Sequence, residues 1–202
     1  SAVAMDTGTW AQGRDQGWVT LIHSIHGMVM RIVIVGAGAV GSYLAERLAY
    51  EGQDVVVIEN DADRAQQLQE SVDCLVITAN GASIQALEDA RVAEAALLLA
   101  VTSSDAVNVL AAQAAARLGV PKRVARVQDP TLREDLEAHG VDVVIDCTGK
   151  FKSAAALQPY FDAGVKTVVV SAPVKDGPTA NIVYGVNDGI YDPARHRIVT
   201  AA

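Results

Sequence analysis

The 202-residue sequence is 50% hydrophobic and 20% charged, enough apolar material for one full-sized domain with a buried core. Its formal net charge of −8, without a dense cluster of lysine and arginine, disfavours nucleic acid and anionic membrane surfaces as partners. No apolar run approaches the roughly 20 residues of a membrane-spanning helix, and no segment is typical of a signal peptide. We therefore expect a cytoplasmic protein without direct membrane insertion.

The cysteines and histidines do not indicate a metal or redox site. Cys74 and Cys147 lie far apart in the sequence, so small apolar core residues are their simplest interpretation. The histidines lack acidic or thiol partners at ligand spacing; they are His23, His26, His139 and His196. The sequence therefore predicts no metal site.

Short β-branched runs alternate with helical stretches from Met30 onward. Residues 1–29 lack a periodic pattern, and we expect them to be an N-terminal arm or tag-like segment. The first six predicted strands are 31–35, 54–59, 74–78, 96–102, 123–127 and 141–145. The helices predicted between them are 40–52, 61–70, 83–89, 104–119 and 131–139. Because continuous apolar strands are typical of a sheet covered on both faces, the pattern predicts an α/β fold with a parallel sheet.

Amino-acid usage changes after about residue 140. Arginine outnumbers lysine before this point and lysine outnumbers arginine after it, while glutamate is absent after Glu137. The remaining predicted elements are a helix at 153–164 and strands at 166–173, 181–186 and 197–202. The change suggests two ancestries within one chain.

The motif "GAGAVG" places three glycines between the first strand and the first helix. Gly36 permits a tight turn, Gly38 lets the backbone approach a pyrophosphate, and Gly41 allows close packing of helix and strand. The N–H groups at the start of the helix then favour phosphate. Glu59, at the end of the second strand, is placed to accept hydrogen bonds from the ribose of an adenosine and to repel a 2′-phosphate. The motif predicts a dinucleotide site that prefers NAD(H) to NADP(H), rather than a purely structural turn.

Three stretches carry a family resemblance: "MRIVIVGAGAVGSYLAERLAYEGQDVVVIENDADRAQQL", "LLLAVTSSDAVNVLAAQAAARLGV" and "RVARVQDP". Through them residues 30–142 resemble the nucleotide-binding domain of the Trk-type regulators of potassium transport, the RCK N-terminal domain. The resemblance implies a Rossmann-type doubly wound parallel sheet in which six strands follow the order 3-2-1-4-5-6. It also implies NAD(H), or alternatively ATP, ADP or AMP, as a regulatory ligand.

The same resemblance implies positions for further site residues. Asn80 and Gly81 are expected beside the adenine, with Ala82 departing from the acidic residue usual in the family. Thr102 and Ser103 are expected near the phosphates or the distal ribose. Arg126 is expected within reach of a phosphate, with a surface arginine at a strand end as the alternative. The complete candidate cofactor-binding set is Gly36, Gly38, Ala39, Val40, Gly41, Glu59, Asn60, Asn80, Gly81, Thr102, Ser103 and Arg126.

A second resemblance rests on "VDVVIDCTGKFKS", "AGVKTVVVSAPVKD" and "VYGVNDGIYDPARHRIVTAA". Residues 141–202 are similar to the last third of the NAD-binding domain of glyceraldehyde-3-phosphate dehydrogenase, in the form found beside arsenate-resistance genes. In that family a Ser-Cys-Thr-Thr-Asn motif with the nucleophilic thiol comes next, and the sequence stops before it. No histidine is placed to activate Cys147, so we predict no catalytic residue.

The segment "GVDVV" fits both resemblances, which indicates a fusion. We expect residues 30–202 to form a single Rossmann-type nucleotide-binding domain, regulator-like at 30–140 and dehydrogenase-like at 141–202. The added helix and strands would extend the six-stranded sheet beyond its sixth strand in the parallel sense.

These observations favour a non-catalytic module that binds NAD(H) or an adenine nucleotide. One alternative is a small NAD-dependent oxidoreductase, and another is an engineered or environmental gene fusion without an evolved activity. We expect a homodimer in which helix 153–164 takes the place of a crossover helix, with a membrane transporter as a further candidate partner. The competing expectation is a monomer with a disordered tail from about residue 174.

Overall fold

The computed structural model describes residues 29–129, 131, 139–183 and 186–201. The predicted N-terminal arm, apart from Val29, and most of the predicted helix 131–139 lie outside these residues. All statements below concern the described part of the chain.

A nine-stranded sheet with the order β3-β2-β1-β4-β5-β6-β7-β9-β8 forms the centre of the fold. Every pair of neighbouring strands is parallel. The strands are β1 Arg31–Val35, β2 Asp54–Glu59, β3 Leu75–Thr78, β4 Leu97–Ala100, β5 Lys122–Val127, β6 Val143–Asp146, β7 Thr167–Val170, β8 Thr179–Ile182 and β9 Ile198–Ala201. The predicted α/β Rossmann order 3-2-1-4-5-6 and its parallel extension beyond the sixth strand are confirmed.

Five α-helices accompany the strands, together with 3-10 turns at Val92–Glu94 and Asp188–Ile190. They are α1 Ala39–Tyr50, α2 Ala62–Ser71, α3 Ile84–Asp89, α4 Asp105–Arg117 and α5 Ala154–Asp162. Side chains of Asp61, Ser104 and Ser153 accept hydrogen bonds from first-turn N–H groups of α2, α4 and α5. Such caps explain why these helices begin where the sequence predicts.

Alternating side chains of the central strands pack against helices on opposite faces of the sheet. Ile32 and Ile34 of β1 belong to one buried cluster with Leu44 and Leu48 of α1. Val33 belongs to another, together with Ala111 and Ala115 of α4. Coverage of both faces is the physical reason for the uninterrupted apolar strands.

The predicted strand 181–186 is displaced in the structure. β8 begins at Thr179 and ends at Ile182, and residues 184 and 185 of the predicted strand lie outside the described residues. The Val183 N–H donates to Oδ1 of Asn187 at 2.6 Å, while the Asn187 N–H donates to the Val183 carbonyl at 3.0 Å. These local hydrogen bonds occupy the Val183 N–H and carbonyl, which a longer strand would need for its sheet partner.

Helix α5 packs on its own sheet. Its Leu157 and Tyr160 are fully buried beside Val144, Val168 and Ile198. The expectation that this helix acts as a crossover arm to a partner does not match this packing, because its apolar face is already covered.

Buried Asp146, at the end of β6, is satisfied by its own neighbourhood. The Tyr160 hydroxyl donates to Asp146 Oδ2 at 2.8 Å, and both residues are nearly inaccessible. The Thr148 N–H and hydroxyl donate to Oδ1 at 3.0 and 2.8 Å. A buried carboxylate with three donors is tolerated in the core, and it fixes α5 against β6.

Asp142 links the two parts of the chain at the amino end of the sheet. Its Oδ2 lies 2.7 Å from a guanidinium nitrogen of Arg123, and its Oδ1 lies 2.7 Å from Nζ of Lys166. The Asp142 side chain is only 8% exposed, whereas that of Lys166 is 74% exposed. The arginine pair is therefore shielded and the lysine pair is largely solvated.

We expect Asp142→Ala to lower the free energy of unfolding by about 2–3 kcal/mol, because it leaves the Arg123 guanidinium without its carboxylate. Lys166→Ala is the matched control, and its solvated pair predicts a loss below about 1 kcal/mol. Urea unfolding monitored by circular dichroism measures both. Equal losses in the two variants would contradict the assignment of the shielded pair.

Candidate functional site

A cavity of about 450 Å³ opens at the carboxyl ends of the central strands. Ligands of open parallel sheets bind at this edge, where the strand order reverses between β1 and β4. The cavity is lined by Val35, Gly36, Gly38, Ala39, Val40, Ile58, Glu59, Asn60, Arg64, Asn80, Gly81, Val101, Thr102, Ser103, Ser104, Val107 and Arg126. The structure thus brings together every sequence-predicted site residue except Gly41.

The three glycines of the loop have different environments. Gly36 adopts a φ of 101°, which favours glycine, and its N–H donates to the Ile58 carbonyl at 2.8 Å. A Cβ built on Gly38 would meet no atom within 4 Å, so the cavity side of this residue is open. A Cβ on Gly41 would lie 1.8 Å from the Gly36 oxygen. Gly41 thus serves the contact of α1 with the loop, which explains why it does not line the cavity.

The start of α1 is open to an anion. Its N-cap residue Gly38 provides no side-chain cap, and no acidic residue lies in the first turn. The N–H groups of Ala39, Val40 and Gly41 have no acceptor among the described residues. Free first-turn N–H groups and the helix dipole favour a phosphate at this position.

Glu59 is buried, with 4% of its surface exposed, and it holds two backbone segments in place. Its Oε2 accepts the Ala37 N–H at 2.5 Å, and its Oε1 accepts the Asp61 N–H at 2.9 Å. A carboxylate offers about four acceptor positions, so two contacts do not exhaust it. Glu59 therefore fixes the glycine loop and retains acceptor capacity towards the cavity.

Asn108 was missed by sequence reasoning, although it organises the far wall of the cavity. This fully buried α4 residue accepts the N–H and hydroxyl of Thr102 at 2.9 and 2.7 Å through Oδ1. Its Nδ2 donates to the carbonyls of Thr102 and Arg126 at 3.1 and 2.9 Å. One amide thus ties the loop after β4 to strand β5.

Arg126 lines the cavity rather than lying on the open surface. One terminal nitrogen of Arg126 donates to the Thr102 carbonyl at 3.2 Å. The guanidinium also donates to the side-chain oxygen of Gln128 when the Gln128 amide is oriented with its oxygen towards Arg126. Its Nε is buried and has no acceptor among the described residues. The guanidinium is thereby held at the cavity wall with donor capacity left for a ligand.

The family model of the TrkA-N domain matches residues 32–146, more than half of the chain. This chain belongs to the TrkA-N domain family. It is a nucleotide-binding Rossmann domain of the TrkA-N type, which fits the predicted Trk-type resemblance of residues 30–142.

Curated relatives match this chain over part of its length. The Trk system potassium uptake protein TrkA of Vibrio alginolyticus is 39% identical over 110 residues, covering 54% of this chain and 24% of that protein. A TrkA homolog of Methanothermobacter thermautotrophicus is 37% identical over 116 residues, covering 57% and 54%. Glyceraldehyde-3-phosphate dehydrogenase 3 of Nostoc sp. is 53% identical over 66 residues, covering 33% and 19%. The chain thus spans at most 54% of the length of these relatives.

Solved structures share the fold of the TrkA-N domain. The TrkA-N domain of the inner membrane protein YbaL from Escherichia coli superposes with a TM-score of 0.55 at 21% identity, covering 61% of this chain and 91% of that one. The NAD(P)-binding domain of an exopolyphosphatase-related protein from Archaeoglobus fulgidus gives 0.53 at 18% identity, covering 66% and 96%. The GsuK channel bound to NAD gives 0.51 at 22% identity, covering 63% and 24%. At these identities the likeness establishes the fold.

Arg64 is the charged cavity residue of the TrkA-N domain that sequence reasoning missed. It lies in the first turn of α2, and its guanidinium donates to Asp61 Oδ2 at 3.2 Å. Hydrogen bonds from the Arg64 backbone and side chain lower the pKa of the exposed Asp61 carboxyl below its usual value. The cavity therefore has a cation near Asn60 as well as Arg126 on β5.

Cys74 and Cys147 lie outside the cavity lining. Burial, reinforced by neighbouring Asp73, raises the pKa of the Cys74 thiol to about 11, so the thiol is neutral at physiological pH. Cys147 is half-buried after β6. Among the described residues no group of three His, Cys, Asp or Glu side chains is arranged to hold a metal ion. No described helix is both long enough and apolar enough to span a bilayer.

Proposed function

We propose that this TrkA-N domain binds NAD(H) as a non-catalytic regulatory ligand, with ATP, ADP and AMP as the alternative occupants of the same cavity. The observation that carries the proposal is the uncapped start of α1 beside open Gly38, with the buried Glu59 carboxylate at the end of the neighbouring strand. A pyrophosphate fits the first feature and a ribose diol fits the second. A solved relative of the same fold, the GsuK channel, is described as bound to NAD.

The regulated partner in this proposal is a membrane protein for potassium transport. Relatives at 37% and 39% identity are named as Trk system potassium uptake proteins. Coupling would require the occupied and empty cavities to differ in their interaction with that partner.

We also propose a fusion origin, in which residues 141–202 derive from a dehydrogenase. The family match ends at residue 146, and a dehydrogenase is 53% identical over 66 residues of the chain. In this proposal the dehydrogenase-derived part supplies α5 and strands β7 to β9, which widen the sheet without adding a catalytic site.

The nucleotide proposal is tested by calorimetric titration with NADH, with NADPH and ATP as comparators. We expect NADH to bind at micromolar concentration and NADPH about tenfold more weakly, because the Glu59 carboxylate repels a 2′-phosphate. Glu59→Gln should weaken NADH binding by about tenfold and reduce the preference over NADPH. Glu59→Gln should also lower stability, because Gln cannot accept from both the Ala37 and the Asp61 N–H groups. A loss of stability would weaken NADH and NADPH binding alike, so a change in the ratio of the two affinities identifies the effect of the lost charge.

Equal binding of NADH and NADPH by the unmodified protein would contradict the role of Glu59. Binding of ATP alone would show that the ligand of the cavity is an adenine nucleotide and not NAD(H). No binding of any of the three would contradict the proposed function as a whole.

A homodimer completes the proposal. The edge strand β3 is unpaired on one side within the described chain, and Leu75 at its start is 53% exposed. Exposed strand edges with apolar side chains favour association. We expect light scattering to give twice the chain mass, and a monomer mass at micromolar concentration would contradict the dimer.

A further inference from the structure

The turn that follows β3 combines a reactive sequence with a position at the cavity. Asn80 and Gly81 form the only Asn-Gly pair in the sequence, and both residues line the cavity. Asn80 is exposed, whereas Gly81 is buried. A Cβ at position 81 would lie 2.0 Å from Cγ1 of Val35, so packing against β1 keeps a glycine after Asn80.

The hydrogen bonds of this turn prepare the Asn80 side chain for attack. Its Oδ1 accepts the Ala82 N–H at 3.0 Å, and its carbonyl accepts the Ser83 N–H at 2.9 Å. A donor on the side-chain oxygen polarises the amide carbonyl and stabilises negative charge that develops there. The Gly81 N–H has no acceptor among the described residues, and no side chain on Gly81 shields it.

From this geometry we infer that Asn80 is a site of self-modification, where the Gly81 backbone nitrogen attacks the Asn80 side chain and converts it to an acidic residue. A bond forms between the Gly81 nitrogen and Asn80 Cγ. The bond from Cγ to Nδ2 breaks, and ammonia leaves with the proton lost by the backbone nitrogen. Water then opens the resulting succinimide at either carbonyl and gives aspartate or isoaspartate. The net reaction consumes one water, releases one ammonia and transfers no electrons.

Asn108 and Asn187 lack this combination. Asn108 is fully buried with both amide atoms engaged, and Val109 follows it. Asn187 accepts the Val183 N–H and donates to the Asn181 carbonyl, and Asp188 follows it. A bulkier next residue hinders attack by its nitrogen. An amide held at both its oxygen and its nitrogen cannot rotate to meet that nitrogen, whereas the Asn80 amide is held at its oxygen alone among the described residues. Asn80 should therefore react first.

The consequence lies inside the cavity. The product adds a negative charge to a pocket that already contains the Glu59 carboxylate, and isoaspartate also lengthens the backbone of the turn. A nucleotide carries negative phosphates, so its binding should weaken by about tenfold. This effect on affinity rests on the proposed nucleotide function, whereas the modification itself does not.

Peptide mass spectrometry tests the modification on the full chain aged in mildly alkaline buffer. Cleavage after Arg64 and Arg91 releases a peptide in which Asn80 is the only asparagine, and fragment ions place the change from amide to acid. We expect Asn80 to convert several times faster than Asn187 in the same sample. Conversion of Asn80 no faster than Asn187 would overturn the inference.

NADH titration of fresh and aged protein tests the consequence. Affinity should fall in step with conversion, and Asn80→Asp should reproduce the weakened state directly. The matched control is Asn80→Gln, which keeps an amide but requires a larger ring for the same attack, so its affinity should not fall on ageing. Full conversion with unchanged NADH affinity would overturn the effect on the cavity. Fresh protein that binds no nucleotide would refute the proposed function, while the peptide readout still decides the modification.

Discussion

Gly38→Ala is expected to weaken NADH binding by about 100-fold or more while leaving the stability of the fold unchanged. Gly38 has φ −69° and ψ −174°, a conformation that any residue adopts, and its Cβ would meet no protein atom within 4 Å. The added methyl group would instead occupy the cavity in front of the free N–H groups of α1. Loss of two or more charge-assisted hydrogen bonds to phosphate accounts for an effect of nearly 3 kcal/mol.

Gly41→Ala is the matched comparison, because it adds the same methyl group three residues away. Its Cβ would lie 1.8 Å from the Gly36 oxygen and 2.8 Å from the Gly36 carbon, so α1 must move away from the loop. We expect the free energy of unfolding to fall by about 3 kcal/mol, the upper range for overpacking. NADH calorimetry and urea unfolding should therefore distinguish the variants: Gly38→Ala should lose NADH affinity but not stability, and Gly41→Ala should lose mainly stability. Normal NADH binding by Gly38→Ala would show that the ligand does not reach the start of α1.

The central fold was predictable because several local signals agree for residues 30–127. Apolar strands such as "RIVIV" and "DVVVIE" are too continuous for a half-exposed sheet, and glycines and capping residues separate them from the helices. The glycine loop and Glu59 were predictable for the same reason, because their chemistry depends on neighbours in sequence.

Long-range contacts account for what the sequence could not reveal. Nothing in the sequence around Asn108 distinguishes it from an ordinary helical asparagine, since its partners lie in Thr102 and in Arg126, 18 positions away. The pairing of β9 between β7 and β8 likewise reverses the chain order at the sheet edge. Such contacts depend on how elements assemble, and local patterns carry little information about them.

Asn108→Ala is expected to lower both stability and nucleotide affinity. The change removes four hydrogen bonds made by one buried amide, and it leaves the Thr102 N–H and the Arg126 carbonyl without a partner. The Thr102 carbonyl keeps only the Arg126 guanidinium as a donor. Unpaired buried polar groups cost about 1–3 kcal/mol each, and partial relaxation predicts a total loss of about 3–4 kcal/mol. Leu110→Ala on the same helix is the control, because Leu110 is 50% exposed and its truncation should cost less than about 1 kcal/mol.

The effect of Asn108 on binding can be separated from its effect on stability by Asp142→Ala. Asp142 lies at the amino end of the sheet, opposite the cavity, so its loss should destabilise the fold without changing NADH affinity. Asn108→Ala, measured well below its unfolding temperature, should weaken NADH binding by about tenfold, since Thr102 and Arg126 are no longer held at the cavity wall. If both variants bind NADH as tightly as the unmodified protein, Asn108 is a core residue only. If only Asn108→Ala loses affinity, the buried amide positions the far half of the site.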